Sequence, residues 1–256
     1  MPLRIGSVSY LNSAPVNAGL DRLPNAALSL AVPSALADQL AAGDLDAALI
    51  PVFEALKNPR YRIVPGVSIS CRGNVQSVKL FCRRRIRDVR AVALDPSSRT
   101  SAALTRILLE TGRGLSPDYK VGIDPDADAQ LLIGDPALEY AGDSVHKIDL
   151  GQDWMQATGL PFVFAVWAAH PSAATLELAR LLQEAKRAGA ERIEEIVQRE
   201  AKRRSLPEST ARFYLTRSIE YDLNHDHVAG LKWFAYLAAE IGLLEKAPDI
   251  DRMLVF

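Results

Sequence analysis

The stretch LRIGSVSYLNSAPV (residues 3–16) sets the fold class. Leu3 to Ser9 reads as a buried strand, Tyr10-Leu11-Asn12-Ser13 as a polar turn, and Pro15 as an allowed first-turn position of a short helix. Strand, polar loop and helix in that order begin an α/β unit. Leu28 to Val32 then reads as a second strand. Ser34 can cap a helix that carries Leu36 and Leu40 on one face and stops at Gly43, and Ala47 to Ile50 follows as a third strand.

Tyr61 to Cys82 reads as extended runs punctuated by Pro65, Gly66 and Gly73, with Val78, Leu80 and Cys82 on one face and Ser77 and Lys79 on the other. A second α/β series starts at Ala91 to Leu94. It continues through the turn Asp95-Pro96-Ser97-Ser98 into a helix bearing Leu104, Ile107 and Leu108, with further strands at Val121 to Ile123 and Leu131 to Ile133. Phe162 to Trp167 is the last extended run, and helical spacing governs the remainder. Two series flanked by extended segments imply an inserted lobe: residues 1–85 with 165–256 in one lobe and 86–164 in the other. The expected crossings are Phe81 to Arg87 and Phe162 to Trp167.

With 256 residues, 30 basic against 31 acidic side chains and a net charge of -1, the chain has no overall field to draw it to nucleic acid or acidic membranes. The run Arg83-Arg84-Arg85 with Arg87 and Arg90 is short and without interleaved aromatics, so a solvated surface is expected. Cys71 and Cys82 read as buried thiols. His146, His170, His225 and His227 have no metal-ligand spacing, and no phosphate-loop, dinucleotide or Ser-His-Asp signature occurs, so no cofactor and no metal are expected. No export signal opens the chain and no apolar run is long enough for a bilayer span, which points to the cytoplasm.

In an open α/β sheet, ligands bind beyond the carboxyl ends of the strands. Tyr10–Ser13, Ile50-Pro51, Asp95–Ser101 and Gly134-Asp135-Pro136 occupy such ends. The helix start at Ser98, Thr100 and Ser101 suits a carboxylate through free backbone amides and hydroxyls, although a serine there can equally be a plain cap. Asn12 can be a cap or a ligand to a polar group. Ser77 faces either solvent or a cleft, and Asp135 either bonds a ligand hydroxyl or starts the next helix.

Taken together, Gly6–Asn12, Val75-Gln76-Ser77-Val78, Ser98–Ser101, Leu132-Ile133-Gly134-Asp135 and Thr158–Trp167 resemble the chorismate dehydratases of the futalosine route to menaquinone. The resemblance spans about residues 3–168 and weakens through the C-terminal helices. It implies a two-lobed fold like the type II periplasmic binding proteins, with two hinge strands and C-terminal helices. It also implies loss of water from chorismate to give 3-[(1-carboxyvinyl)oxy]benzoate. The substrate-binding set expected from it is Tyr10, Asn12, Pro51, Ser77, Ser98, Thr100, Ser101, Gly134, Asp135 and Pro161, with Asn12 and Ser77 catalytic and the substrate's own enolpyruvyl carboxylate as proton acceptor.

A sister family of the same route carries a His-Glu pair where this chain has Gly134-Asp135, which counts against that assignment. A non-catalytic small-anion-binding protein of the same fold is the other alternative. A small-molecule partner is expected, with neither nucleic acid nor membrane, and the sequence leaves the oligomeric state open.

Overall fold

A computed structural model describes residues 2–20, 26–140, 144 and 146–254. The opening strand β1 (Leu3–Val8) runs parallel between β2 (Ala26–Ala31) and β3 (Ala47–Pro51). Helix α1 (Pro33–Ala42) starts with proline in its first turn and stops at Gly43, whose φ of 79° suits a residue without a side chain. It lies so close to β1 that a Cβ at Gly6 would stand 2.5 Å from Leu45 and 2.7 Å from Leu36. After the short α2 (Val52–Lys57), β4 (Arg62–Cys71) forms an edge of the sheet. An edge strand tolerates Pro65 and Gly66, and their carbonyls accept from Gln183 and Lys186 at 2.8 and 2.7 Å.

The second sheet has the order β7-β6-β8-β5-β9. Its strands are β5 (Val78–Cys82), β6 (Ala91–Leu94), β7 (Asp118–Val121), β8 (Ala129–Ile133) and β9 (His146–Asp149). Helices α3 (Arg99–Arg113), α4 (Asp135–Glu139) and α5 (Leu150–Thr158) belong to this part of the chain. The chain returns through β10 (Phe162–Ala169), antiparallel between β3 and β4 and buried at all eight positions, so the first sheet reads β2-β1-β3-β10-β4. Each fully buried residue of Phe or Val size in such a strand contributes about 1.5–3 kcal/mol.

The tail is helical: α6 (Leu176–Glu191), α7 (Ile193–Arg204), α8 (Glu208–Phe213), a π-type turn over Tyr214–Ser218, α9 (His225–Glu240) and α10 (Ile250–Met253). At two glycines it touches the rest of the molecule backbone to backbone. A Cβ at Gly189 would lie 1.9 Å from the Pro15 carbonyl oxygen, and one at Gly230 would lie 2.1 Å from that of Pro161.

Several expectations need correction. Ser34 does not cap α1, whose N-cap is Val32, and the strand expected at Val121 to Ile123 lies earlier, at Asp118–Val121. Pro15 does not enter a helix: the loop after β1 is a 3-10 turn at Leu11–Ser13 followed by further turns, held by the Ser13 hydroxyl donating to the carbonyls of Val8 (2.5 Å) and Tyr10 (2.9 Å). The first passage between sheets also comes earlier than Phe81 to Arg87, at residues 72–77. Asp149 accepts the amides of Val75 (3.0 Å) and Gln76 (2.7 Å), and Gln76 takes a left-handed φ of 62°, turning the chain so that Val78 already pairs with Ile133. The return passage occupies 159–161, after α5 and before β10.

Candidate active site

The loops at the carboxyl ends of β1, β3, β6 and β8 meet where the two sheets face each other, and the 72–77 passage joins them there. They enclose a cavity of about 40 Å³ lined by Tyr10, Asn12, Pro51, Ser77, Ser98, Ser101 and Gly134, with Val8, Ile69, Val75, Phe164 and Ile219 among the apolar walls. A space of that volume holds no more than a few waters, too little for a ring-sized ligand in this arrangement of the lobes.

Each polar lining residue owes its place to local bonding. Ser98 is the N-cap of α3: its hydroxyl accepts the Ser101 amide at 3.3 Å and lies 2.9 Å from the Ser101 hydroxyl. The cap reading of this serine therefore holds, and the cap also faces the cavity. The amides of Arg99 and Thr100, in the first turn of α3, have no intrahelical acceptor and add the positive end of a fifteen-residue helix. Asn12 is not a cap; it sits inside the 3-10 turn with its side chain on the cavity.

Ser77 is 1% exposed, so its side chain faces the cleft and not solvent. Its amide donates to Val75 (2.8 Å) and its carbonyl accepts from Gly134 (2.7 Å). Gly134 has φ 65° and ψ -146°, and a Cβ there would stand 3.0 Å from the Tyr10 ring. Only glycine reaches that backbone region without cost, and a histidine at this position would have no room.

Tyr10 closes the cavity from the first lobe. Its hydroxyl donates to Ser97 at 3.3 Å, and Ser97 in turn donates to Asp95 through its hydroxyl (2.5 Å) and its amide (2.9 Å). Burial pushes the Tyr10 phenol above its ordinary pKa against the opposing bond from Ser97, which keeps it neutral and a donor.

Three expected residues lie outside the lining. The Thr100 hydroxyl is fully buried and accepts the Phe53 amide at 3.1 Å, so only its backbone can serve a ligand. Asp135 starts α4 and accepts from the Leu11 amide (3.2 Å) and Arg204 Nε (2.8 Å), which ties the lobes together. Pro161 packs its carbonyl against Gly230 of α9.

Other bonds also span the cleft: Arg99 pairs with Asp38 (2.8 Å) and Glu54 (3.2 Å), and the Ser34 amide donates to the Ser97 carbonyl at 3.1 Å. No Asp, Glu, His or Lys lines the cavity among the described residues, so it holds no ordinary proton acceptor.

Two participants escaped sequence reasoning. Arg204 reads as one of several basic residues ending α7, with nothing to mark it as the partner of Asp135. Tyr214, 1% exposed, donates its hydroxyl to Ser77 Oγ at 2.6 Å, with the Asn12 side chain nearby. Its helical surroundings offered no sign of that; the signal is the π-type turn it opens, a local widening of a helix that recurs near functional sites. The described residues include no cluster of His, Cys, Asp or Glu fit for a metal, and no helix long and apolar enough to cross a membrane.

Over residues 3–240 the chain matches the family described as menaquinone biosynthesis. A chorismate dehydratase of Thermus thermophilus is 33% identical over 257 residues, covering 91% of this chain and 94% of that protein. A chorismate dehydratase of Campylobacter jejuni is 28% identical, covering 93% and 98%. Among solved structures, a protein from Archaeoglobus fulgidus superposes with a TM-score of 0.74 at 18% identity, covering 95% of this chain and 98% of that one. The periplasmic aliphatic sulphonate binding protein SsuA of Escherichia coli superposes at 0.66 with 19% identity, covering 100% and 92%. At such identities the likeness is one of fold, and the fold is that of the two-lobed periplasmic binding proteins.

Proposed function

We propose, from the premise that this chain belongs to the menaquinone biosynthesis family, that it is a lyase that removes water from chorismate to give 3-[(1-carboxyvinyl)oxy]benzoate in its inter-lobe cleft. The observation that carries this reading is a closed, uncharged cavity furnished with Asn12, Ser77, Ser98 and Ser101 but with no ionisable base. A dianionic substrate there brings its own base. One carboxylate lies against the free amides and hydroxyls at the start of α3, and Asn12 and Ser77 hold the enolpyruvyl group and the hydroxyl on C4.

The enolpyruvyl carboxylate takes the C3 proton, the electron pair of that C–H bond enters the ring, and the C4–O bond breaks with its pair leaving on oxygen. The proton and the departing hydroxide together make the water lost, so the carboxylate ends as it began. Aromatisation drives the step, and the protein supplies orientation and a donor to the leaving oxygen. No cofactor is called for, and a cytosolic location fits the substrate. For the lobes we take the two sheets as their cores, with the segments before Val78 and before Phe162 as connections.

Incubating the purified chain with chorismate and following product by ultraviolet absorbance and mass spectrometry tests the reading. Enzymatic appearance of the aromatic ether is expected. Chorismate that merely decays at its spontaneous rate would instead make the chain a small-anion binder of the same fold.

A further inference from the structure

We infer that Tyr214 is the positioning residue that aims the Ser77 hydroxyl at the leaving oxygen of the substrate, an inference that rests on the function proposed above. Ser77 is buried, and both its backbone groups are engaged, with Val75 and Gly134, so only its side chain is free to meet a ligand. A serine hydroxyl rotates freely until a neighbour decides which way its hydrogen points. Tyr214 decides it by donating into the Ser77 oxygen at 2.6 Å, which leaves the Ser77 hydrogen to point elsewhere, and the cavity is what Ser77 otherwise faces.

The Asn12 side chain also lies near the phenol, so Tyr214 adjoins both residues proposed to handle the substrate, with its hydrogen bond going to Ser77. Ser77 is thus oriented by a buried hydroxyl that does not line the cavity itself. The π-type turn opened by Tyr214 packs against the 3-10 turn carrying Asn12, so the phenol and the amide are held by adjoining backbone. Burial pushes the phenol well above its ordinary range, which keeps it protonated and able to donate at neutral pH.

The test is the substitution Tyr214→Phe, which keeps the ring and its packing and removes only the hydroxyl. We expect kcat to fall about 10- to 100-fold with KM changed by less than about threefold, because the contact matters when charge develops on the leaving oxygen. Combined with Ser77→Ala, it should cost nothing further, since the hydroxyl it aims is gone.

Replacing Tyr214 by 3-fluorotyrosine keeps the ring and the hydrogen bond but makes the phenol a stronger donor, and kcat should move by more than about twofold with KM held. This second variant settles the matter should Tyr214→Phe not fold. A kcat within about twofold of the parent for Tyr214→Phe, costs that multiply in the double variant, or a kcat unmoved by 3-fluorotyrosine overturns the inference while the parent's turnover leaves the proposed function standing. A parent chain that does not turn over chorismate overturns both.

Discussion

Arg204 and Asp135 meet across the cleft, the guanidinium Nε donating to the carboxylate at 2.8 Å, and the same carboxylate accepts the Leu11 amide. Arg204 belongs to the helical tail and Asp135 opens a helix of the second sheet's lobe, so the pair exists only when the lobes are shut. Glu200 and the Ser9 carbonyl hold Arg204 in place from its own side.

Asp135→Ala should therefore loosen closure without touching the cavity wall. Losing two cross-lobe bonds, one of them charged, is expected to cost closure about 1–3 kcal/mol, read as a KM raised roughly 5- to 100-fold with a smaller change in kcat. Steady-state kinetics and small-angle scattering check it. Unaltered KM and unaltered radius of gyration would mean that Asp135 only starts its helix.

Gly134→Ala is expected to be destabilising and nearly inactive. The backbone at φ 65° and ψ -146° costs an alanine about 1–3 kcal/mol, and its methyl would press on the Tyr10 ring. Thermal unfolding and turnover measured on the same preparation check both halves, and a variant that keeps parental activity would count against the closed contact between Tyr10 and Gly134.

Asp149 governs a pH effect through the 72–77 connection. Burial raises its carboxyl above the ordinary 3.8 despite the amides of Val75, Gln152 and Gln76. The folded state then binds a proton more tightly than the unfolded one. Its contribution to stability is full below the ordinary value and is lost as pH rises through the folded value. Asp149→Asn cannot titrate, so the difference in unfolding free energy between parent and variant should change as pH rises from the ordinary 3.8 and level off once the folded carboxyl has ionised. Denaturant titrations over that range check it, and a constant difference would refute it.

Neither thiol should react in the folded protein. Cys71 and Cys82 are both free and buried, and burial pushes Cys82 up to about 11 and Cys71 well above its ordinary value. Labelling with a chromogenic disulfide should await unfolding, which a comparison with and without denaturant measures directly.

Periodicity made most of the regular elements legible: β1, α1, β3, α3, β10, α6, α7 and α9 lie where apolar spacing puts them, because each buries a continuous face. The turns did not follow that rule. The 3-10 segment after β1 depends on a serine hydroxyl reaching back two carbonyls, and the start of β5 depends on an aspartate seventy-odd residues away in sequence. Of the expected site residues, those on the loops themselves, such as Tyr10, Asn12, Ser77, Ser98 and Gly134, converge on the cavity. Thr100 does not, because consecutive residues of a helix point about 100° apart and its neighbour Ser101 already takes the inward direction. Arg204 and Tyr214 were out of reach because their partners come from elsewhere in the chain, and a helical residue carries no local mark of that.

The glycines at 189 and 230 bear on how such a molecule can be rebuilt. Pro15 follows Asn12 by one turn of chain and Pro161 precedes the returning strand, so the tail grips both flanks of the cleft where no side chain intervenes. A chimera that grafts the tail of a distant homologue onto these lobes must bring in glycine at both places. Otherwise the graft would act like a shim, shifting catalytic atoms by a methyl's width from a position no substrate ever visits.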